Sequence, residues 1–353
     1  MNKRKFFLCL ISVSILCVAY NSLGISDQEV LKEFARWTDI LGLKDISMQP
    51  PEIHRAVHPA FKRVVIDVFG GTADRLLNIQ LTFDIKTGEL IAICNGYQSR
   101  IEEDAEAAGK KITFSLDKET CKNQLIKYYK LITGEEPPPF EIRVPAKGTL
   151  LPPTYTISLG WRRMYKGYRI RDNYTVIDIF ADTGTLASYQ KRFISDLPPT
   201  VEVKITAEQA RQKAVEIADR EIKDWVQFLD SISTETAISQ LDDKIYRGIK
   251  STLKGKSRQI KQESQQYASL IGCKPIEVKA PYLEIVNIRE DAFNRQYMQP
   301  EAYEKSHKWN PATRLCWVIT LYYQNPETKV GAQFEVDIDA YDGSVVNGSR
   351  PWD

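Results

Sequence analysis

The stretch Phe334-Glu-Val-Asp-Ile-Asp-Ala-Tyr-Asp-Gly-Ser-Val-Val, residues 334–346, decides the architecture. Apolar and polar residues alternate up to Asp339, the period of a half-buried strand. Gly343 then supplies a backbone angle that other residues resist, and Val345 re-enters a sheet. The same phrase occurs twice more. Leu81-Thr-Phe-Asp-Ile-Lys-Thr-Gly-Glu-Leu-Ile bends at Gly88 after Asp84, and Leu90 follows two places later. Val176-Ile-Asp-Ile-Phe-Ala-Asp-Thr-Gly-Thr-Leu bends at Thr183-Gly184 and re-enters at Leu186.

Working outward, each turn is preceded by another strand-like run: Phe61 to Phe69, Tyr155 to Arg163 and Leu315 to Tyr323. Breaks follow at Gly70-Gly71, Lys166-Gly167 and Asn325-Pro326, so each unit contains a meander. A helical pattern stands ahead of each. Asp27 to Leu43 sets Val30, Leu31, Phe34, Trp37 and Leu41 on one face. Ser115 to Ile132 opens on a capping serine, and Gly134 with Pro137 to Pro139 closes it. Thr206-Ala-Glu-Gln-Ala begins the third, with Ala210, Ala214, Ile217 and Ala218 at helical spacing. The expected fold is α+β: three tandem modules, each a helix plus an antiparallel sheet. Their bounds are 25–109, 110–199 and 200–353. The third carries a helical insertion at about 225–270. Within it Lys244, Arg247, Lys250, Lys254, Lys256, Arg258 and Lys261 follow one another with no acid between, while Ile245, Ile249 and Leu253 recur every four residues. Such a run is a solvated helical face or a contact surface for an anionic partner.

These phrases resemble the repeats of the PepSY family and its YcdB/YcdC-type relatives. Val336 to Val346, preceded by Leu315-Cys-Trp-Val-Ile, is similar to that family's tryptophan strand and closing Asp-Ala-x-x-Gly turn. Thr206-Ala-Glu-Gln-Ala resembles its helix start, and Trp161-Arg162-Arg163 with Gly167 and Tyr189 resembles related repeats. The first repeat matches only at Asp84 to Gly88, and Phe180 stands where the family usually has aspartate. The resemblance implies a PepSY-like helix-and-sheet module that binds or restrains a peptidase, with no catalytic residues to carry over.

Residues 1–24 read as a signal peptide. Lys3, Arg4 and Lys5 precede an uncharged run from Phe6 to Tyr20, and Ser22 and Gly24 are small. That run is shorter than the ~20 residues a spanning helix needs. Cleavage after Gly24 and a secreted or envelope location are expected, with an uncleaved N-terminal anchor as the alternative. Without its three basic residues the chain holds 45 basic and 46 acidic residues. So neutral a surface speaks against nucleic acid as a partner. Cys94, Cys121, Cys273 and Cys316 remain after the leader, free or in one or two disulfides.

Few residues suggest chemistry. Asp182-Thr183-Gly184 spells an aspartic-protease loop, yet its counterpart Asp342-Gly343-Ser344 lacks the threonine and stands one residue closer to its glycine. His54 and His58 would share a face of a helix, as zinc ligands do, but Pro51 and Pro59 shorten any helix there. They are the weak metal candidates, and no cofactor motif is present. Asn173 and Asn347 begin glycosylation sequons, relevant only in a host that uses them. The candidate binding surfaces are Trp161, Tyr165 and Trp317 for a peptide or glycan, and Lys250, Lys254 and Arg258 for an anionic envelope surface. The expected function is an exported, non-enzymatic module that binds a protein or peptide partner, with a peptidase implied by the resemblance. The alternatives are a hydrolase using His54, His58 or Asp182, and a structural envelope protein.

Overall fold

The computed structural model describes residues 24–44, 49–71, 79–152, 155–241, 253–289 and 310–349. Of the leader read at 1–24, residues 1–23 lie outside these residues. Two compact units form: one runs to Arg162 and resumes over Asn173–Ile194, the other comprises Arg163–Asp172 and the chain from Ser195. The segments 25–109 and 110–199 thus fall almost wholly in the first unit. Among the described residues no helix is long and apolar enough to cross a membrane.

The first unit is α+β. Helix α1 (Asp27–Ile40) is followed by β1 (Glu52–His58), β2 (Arg63–Gly70), β3 (Ile79–Asp84) and β4 (Leu90–Asn95). Helices α2 (Gly96–Ala107) and α3 (Lys118–Thr133) come next, then β5 (Thr156–Tyr165), β6 (Tyr168–Phe180) and β7 (Leu186–Arg192). The antiparallel order is β1-β2-β3-β4-β7-β6, with β5 on β6. Val30, Phe34 and Trp37 of α1 and Cys121, Leu125 and Tyr129 of α3 pack on Leu81, Phe83, Ile177 and Ile179. Leu31, read into the apolar face of α1, is 38% exposed, because that face runs through Val30 and Phe34 instead.

In the second unit β9 (Tyr282–Asn287), β10 (Thr313–Gln324), β11 (Gly331–Asp339) and β12 (Val345–Ser349) pair antiparallel in that order. The short β8 (Pro275–Val278) also pairs with β10. The long helix α4 (Ala207–Ser231) lies on this sheet. Its Ala210, Ala214 and Ala218 have no bulk to hold it away from Ile319, Phe334 and Val336. The insertion holds α5 (Glu235–Gln240) and α6 (Ser257–Ala268).

One local arrangement occurs three times. Gly88, Gly184 and Gly343 take φ of 70°, 70° and 75°. Each donates its N–H to the carbonyl four residues back, on Asp84, Phe180 and Asp339. Over each glycine sits the residue before a helix cap: Ile25, Leu116 and Ile205, at 3.3–3.4 Å from where a Cβ would stand. The caps are Ser26, Asp117 and Thr206. Ser115, read as the second cap, instead donates its hydroxyl to the Asp182 carbonyl in the turn below. Six residues before each glycine the ladder slips by one, at Thr82, Asp178 and Asp337. Asp84 and Asp339 play the same part: one carboxylate oxygen accepts two turn amides, the other meets Arg63 or Arg314. Phe180 cannot do this, and its turn closes on backbone bonds and a local Asp182–Thr183 contact.

Gly184→Ala and Gly343→Ala should each destabilise by about 1–2 kcal/mol, combining left-handed strain with pressure on Leu116 or Ile205. Gly109→Ala reports strain alone, since φ is 73° and nothing stands within 4 Å. Urea unfolding followed by fluorescence checks this; equal losses in all three would remove the packing contribution.

Candidate functional site

Alternation leaves the first unit's sheet with a second face, away from α1 and α3. Strand register lines its residues up in rows. One row runs Asp67, Thr82, Ala92, Gln190, Val176 across β2, β3, β4, β7 and β6. The next runs Phe69, Gln80, Cys94, Ser188, Asp178. Small residues keep the middle low, including Gly160 on β5, whose added Cβ would stand 3.2 Å from Val176. The result is a groove of about 690 Å³, with His58 and Phe61 at one end and Arg162 and Tyr174 at the other.

The groove mixes apolar and polar side chains, and its charges are held. Asp178 accepts hydrogen bonds from the hydroxyls of Ser158, at 2.5 Å, and Ser188. Asp67 accepts from Thr82 at 2.5 Å and Gln80 at 3.2 Å. Tyr174 donates to Gln190 at 2.7 Å. Carboxylates bonded to serine and threonine hydroxyls are suited to fixing a ligand's donors. His58 is a poor match for Asp178 as an acid–base partner. Their strands are five steps apart in the sheet order, roughly 24 Å at ~4.8 Å per step. The His58 Nδ1 also accepts the Ala60 amide.

The histidine pair lies on strand β1, not on a helix, because Pro51 and Pro59 bracket an extended segment. His54 contacts Glu52 and the edge of Phe69, and His58 packs on Phe61. Among the described residues no group of three His, Cys, Asp or Glu gathers to hold a metal. Asp182 and Asp342 lie in different units, each bonded to a neighbouring turn amide. Trp161 packs at a tilt on Tyr129, half-buried against the first unit's core, and also lines the groove. Tyr165 and Trp317 pack on a small cluster around Ile170 and Ile285 in the second, where Trp317 donates to the Ile205 carbonyl at 2.7 Å. Lys254 and Arg258 are exposed at the start of α6, and Lys250 lies outside the described residues. The four cysteines are free thiols: Cys94 exposed in the groove, Cys121 and Cys316 buried, Cys273 half-buried.

The second unit's corresponding face is closed by Arg171. Its Nε reaches Glu284 at 2.8 Å, and its other two nitrogens grip Asp337 at 2.7 and 3.0 Å. Glu335 stands 3.1 Å away. One cation thus serves three carboxylates. Burial lifts the Asp337 carboxyl to about 6 against the pull of Arg171. Burial also opposes the Arg171 charge, but the carboxylates outweigh it and hold the guanidinium protonated more firmly than usual.

No protein-family model matches the chain, and no curated protein matches it. Among solved structures it is similar to the Bacillus megaterium YpeB C-terminal domain, at 11% identity and a TM-score of 0.38. The match covers 93% of this chain and 99% of that one.

Arg171→Leu strands a fully buried carboxylate and should cost about 3–5 kcal/mol, with Asp337→Asn recovering part of it in the double variant. The wild type has a pH signature of its own. Folded Asp337 binds its proton near 6 and an unfolded aspartate near 3.8, so stability rises as pH falls through that window. Between pH 7 and 5 the gain should be about 1 kcal/mol by urea unfolding, and Asp337→Asn should abolish it.

Proposed function

We propose that the chain is an exported, non-catalytic binding module that holds an extended peptide segment of a partner in the groove of its first unit. The observation that carries this reading is the groove itself: a low sheet face of mixed apolar and polar side chains, flanked by aromatic and basic ones, whose Asp178 carboxylate is engaged by hydroxyls. A peptidase is the partner that the PepSY resemblance implies, and restraint is then the role. The three helix caps set over three turn glycines support reading the chain as three copies of one PepSY-like module. Export rests on the leader's charge and apolar run. The exposed Lys254, Lys256, Arg258 and Lys261 of the insertion support a second contact, with an anionic envelope surface.

Cys94 offers a built-in reporter, being the exposed thiol of the mature chain and lying on the groove floor. Residues 25–353 carrying Cys273→Ser would be mixed with a library of extended heptapeptides. Binders should slow maleimide labelling of Cys94 at least ten-fold and leave uncleaved. Peptides that fail to protect the thiol, or that come away hydrolysed, would sink this reading.

A further inference from the structure

Charges of both signs stand at or beside the groove along β6. Tyr174 on β6 stands directly opposite Arg192 on β7, and the Arg192 guanidinium lies 5.9 Å from its ring centre. Arg162 covers the same ring at 5.7 Å. Two cations therefore crowd one aromatic ring, an arrangement that their mutual repulsion opposes. Arg192 forms no ion pair among the described residues, and its Nε is buried without a hydrogen-bond partner. A buried, unanswered guanidinium N–H is costly, and a planar carboxylate is the group whose two oxygens match the guanidinium fork.

Four residues further along β6, Asp178 lines the same groove with a negative charge. On an extended strand four residues span about 13 Å. Tyr174, Val176 and Asp178 share one face of β6 and line the groove, while Arg192, paired opposite Tyr174 and over its ring, borders the groove at Tyr174.

We propose that the groove selects a dipolar peptide segment, with an acidic side chain or C-terminal carboxylate seated at Arg192 beside Tyr174 and a basic side chain four residues away at Asp178. This rests on the reading of the groove as a peptide site and names its ligand. The segment lies extended along β6, the only direction in which one strand's rise carries the two charges to their partners. Arg192 and Asp178 bind the ligand, while Gln190 positions Tyr174 by accepting its hydroxyl.

The test uses fluorescent heptapeptides of threonine, valine and alanine with glutamate and lysine at positions i and i+4, in both orders. Controls carry the same residues at i and i+2, or glutamine for glutamate. Anisotropy with residues 25–353 reads affinity, and Cys94 labelling reports occupancy of the groove. The i, i+4 peptide in one order is expected to bind at least ten-fold tighter than its glutamine and i, i+2 controls. Arg192→Met should erase the glutamate preference, and Arg192→Lys should keep part of it because the charge remains while the fork is lost. Near-ultraviolet circular dichroism confirms that each variant is folded. If peptides protect Cys94 but are indifferent to glutamate, spacing and Arg192→Met, the charge selection falls and the peptide site stands. If no peptide protects Cys94, both fall.

Discussion

A helix can be held on a sheet only if something sets its height and its starting point. Here that constraint is the contact between a left-handed turn glycine and the apolar residue just before a helix cap. Gly88 under Ile25, Gly184 under Leu116 and Gly343 under Ile205 make it three times. The glycine does two jobs at once. It takes the positive φ that closes the turn, and it leaves room for the residue overhead. The cap then points the helix back across its strands, and the helix buries the apolar phase of their alternation. Ser26 with Glu29 and Thr206 with Gln209 reinforce two of these starts as reciprocal capping pairs.

Once the helices are seated, each sheet has a face left over, and the two units use it differently. The one-residue slip before each turn brings Thr82, Asp178 and Asp337 to comparable places. In the first unit small neighbours and hydroxyls surround this position, so the Asp178 carboxylate is held by Ser158 and Ser188 and a groove stays open. In the second, Arg171 arrives from the 163–172 segment and lies across Asp337, Glu284 and Glu335. The backbone plan is shared. Side-chain size and one arginine decide whether its outer face is open or shut.

Much of the framework was legible from residue order. The alternating strands with their glycine turns and the cap at Thr206 are local signals, and local backbone physics reads them well. Other elements were not. β1, β8, β9 and α2 carry weak or short patterns, and their place depends on partners distant in the chain. The histidine pair shows the limit. Spacing of four suits one face of a helix and equally one face of a strand, and only pairing with β2 settles which.

The groove was hidden for the same reason. Its residues are the unremarkable polar phase of strands that the alternation had already marked: Gln80 and Thr82, Cys94, Gly160 and Arg162, Tyr174 and Asp178, Ser188 and Gln190. By itself, residue order determined the repeated turns, the helix starts and which phase of each strand is buried, because these depend on neighbours a few positions away. Tertiary structure alone decided that β4 pairs with β7, which joins Cys94 to Ser188 and makes one face from two repeats. Strand register is a property of partners far apart in the chain, so no local pattern could carry it.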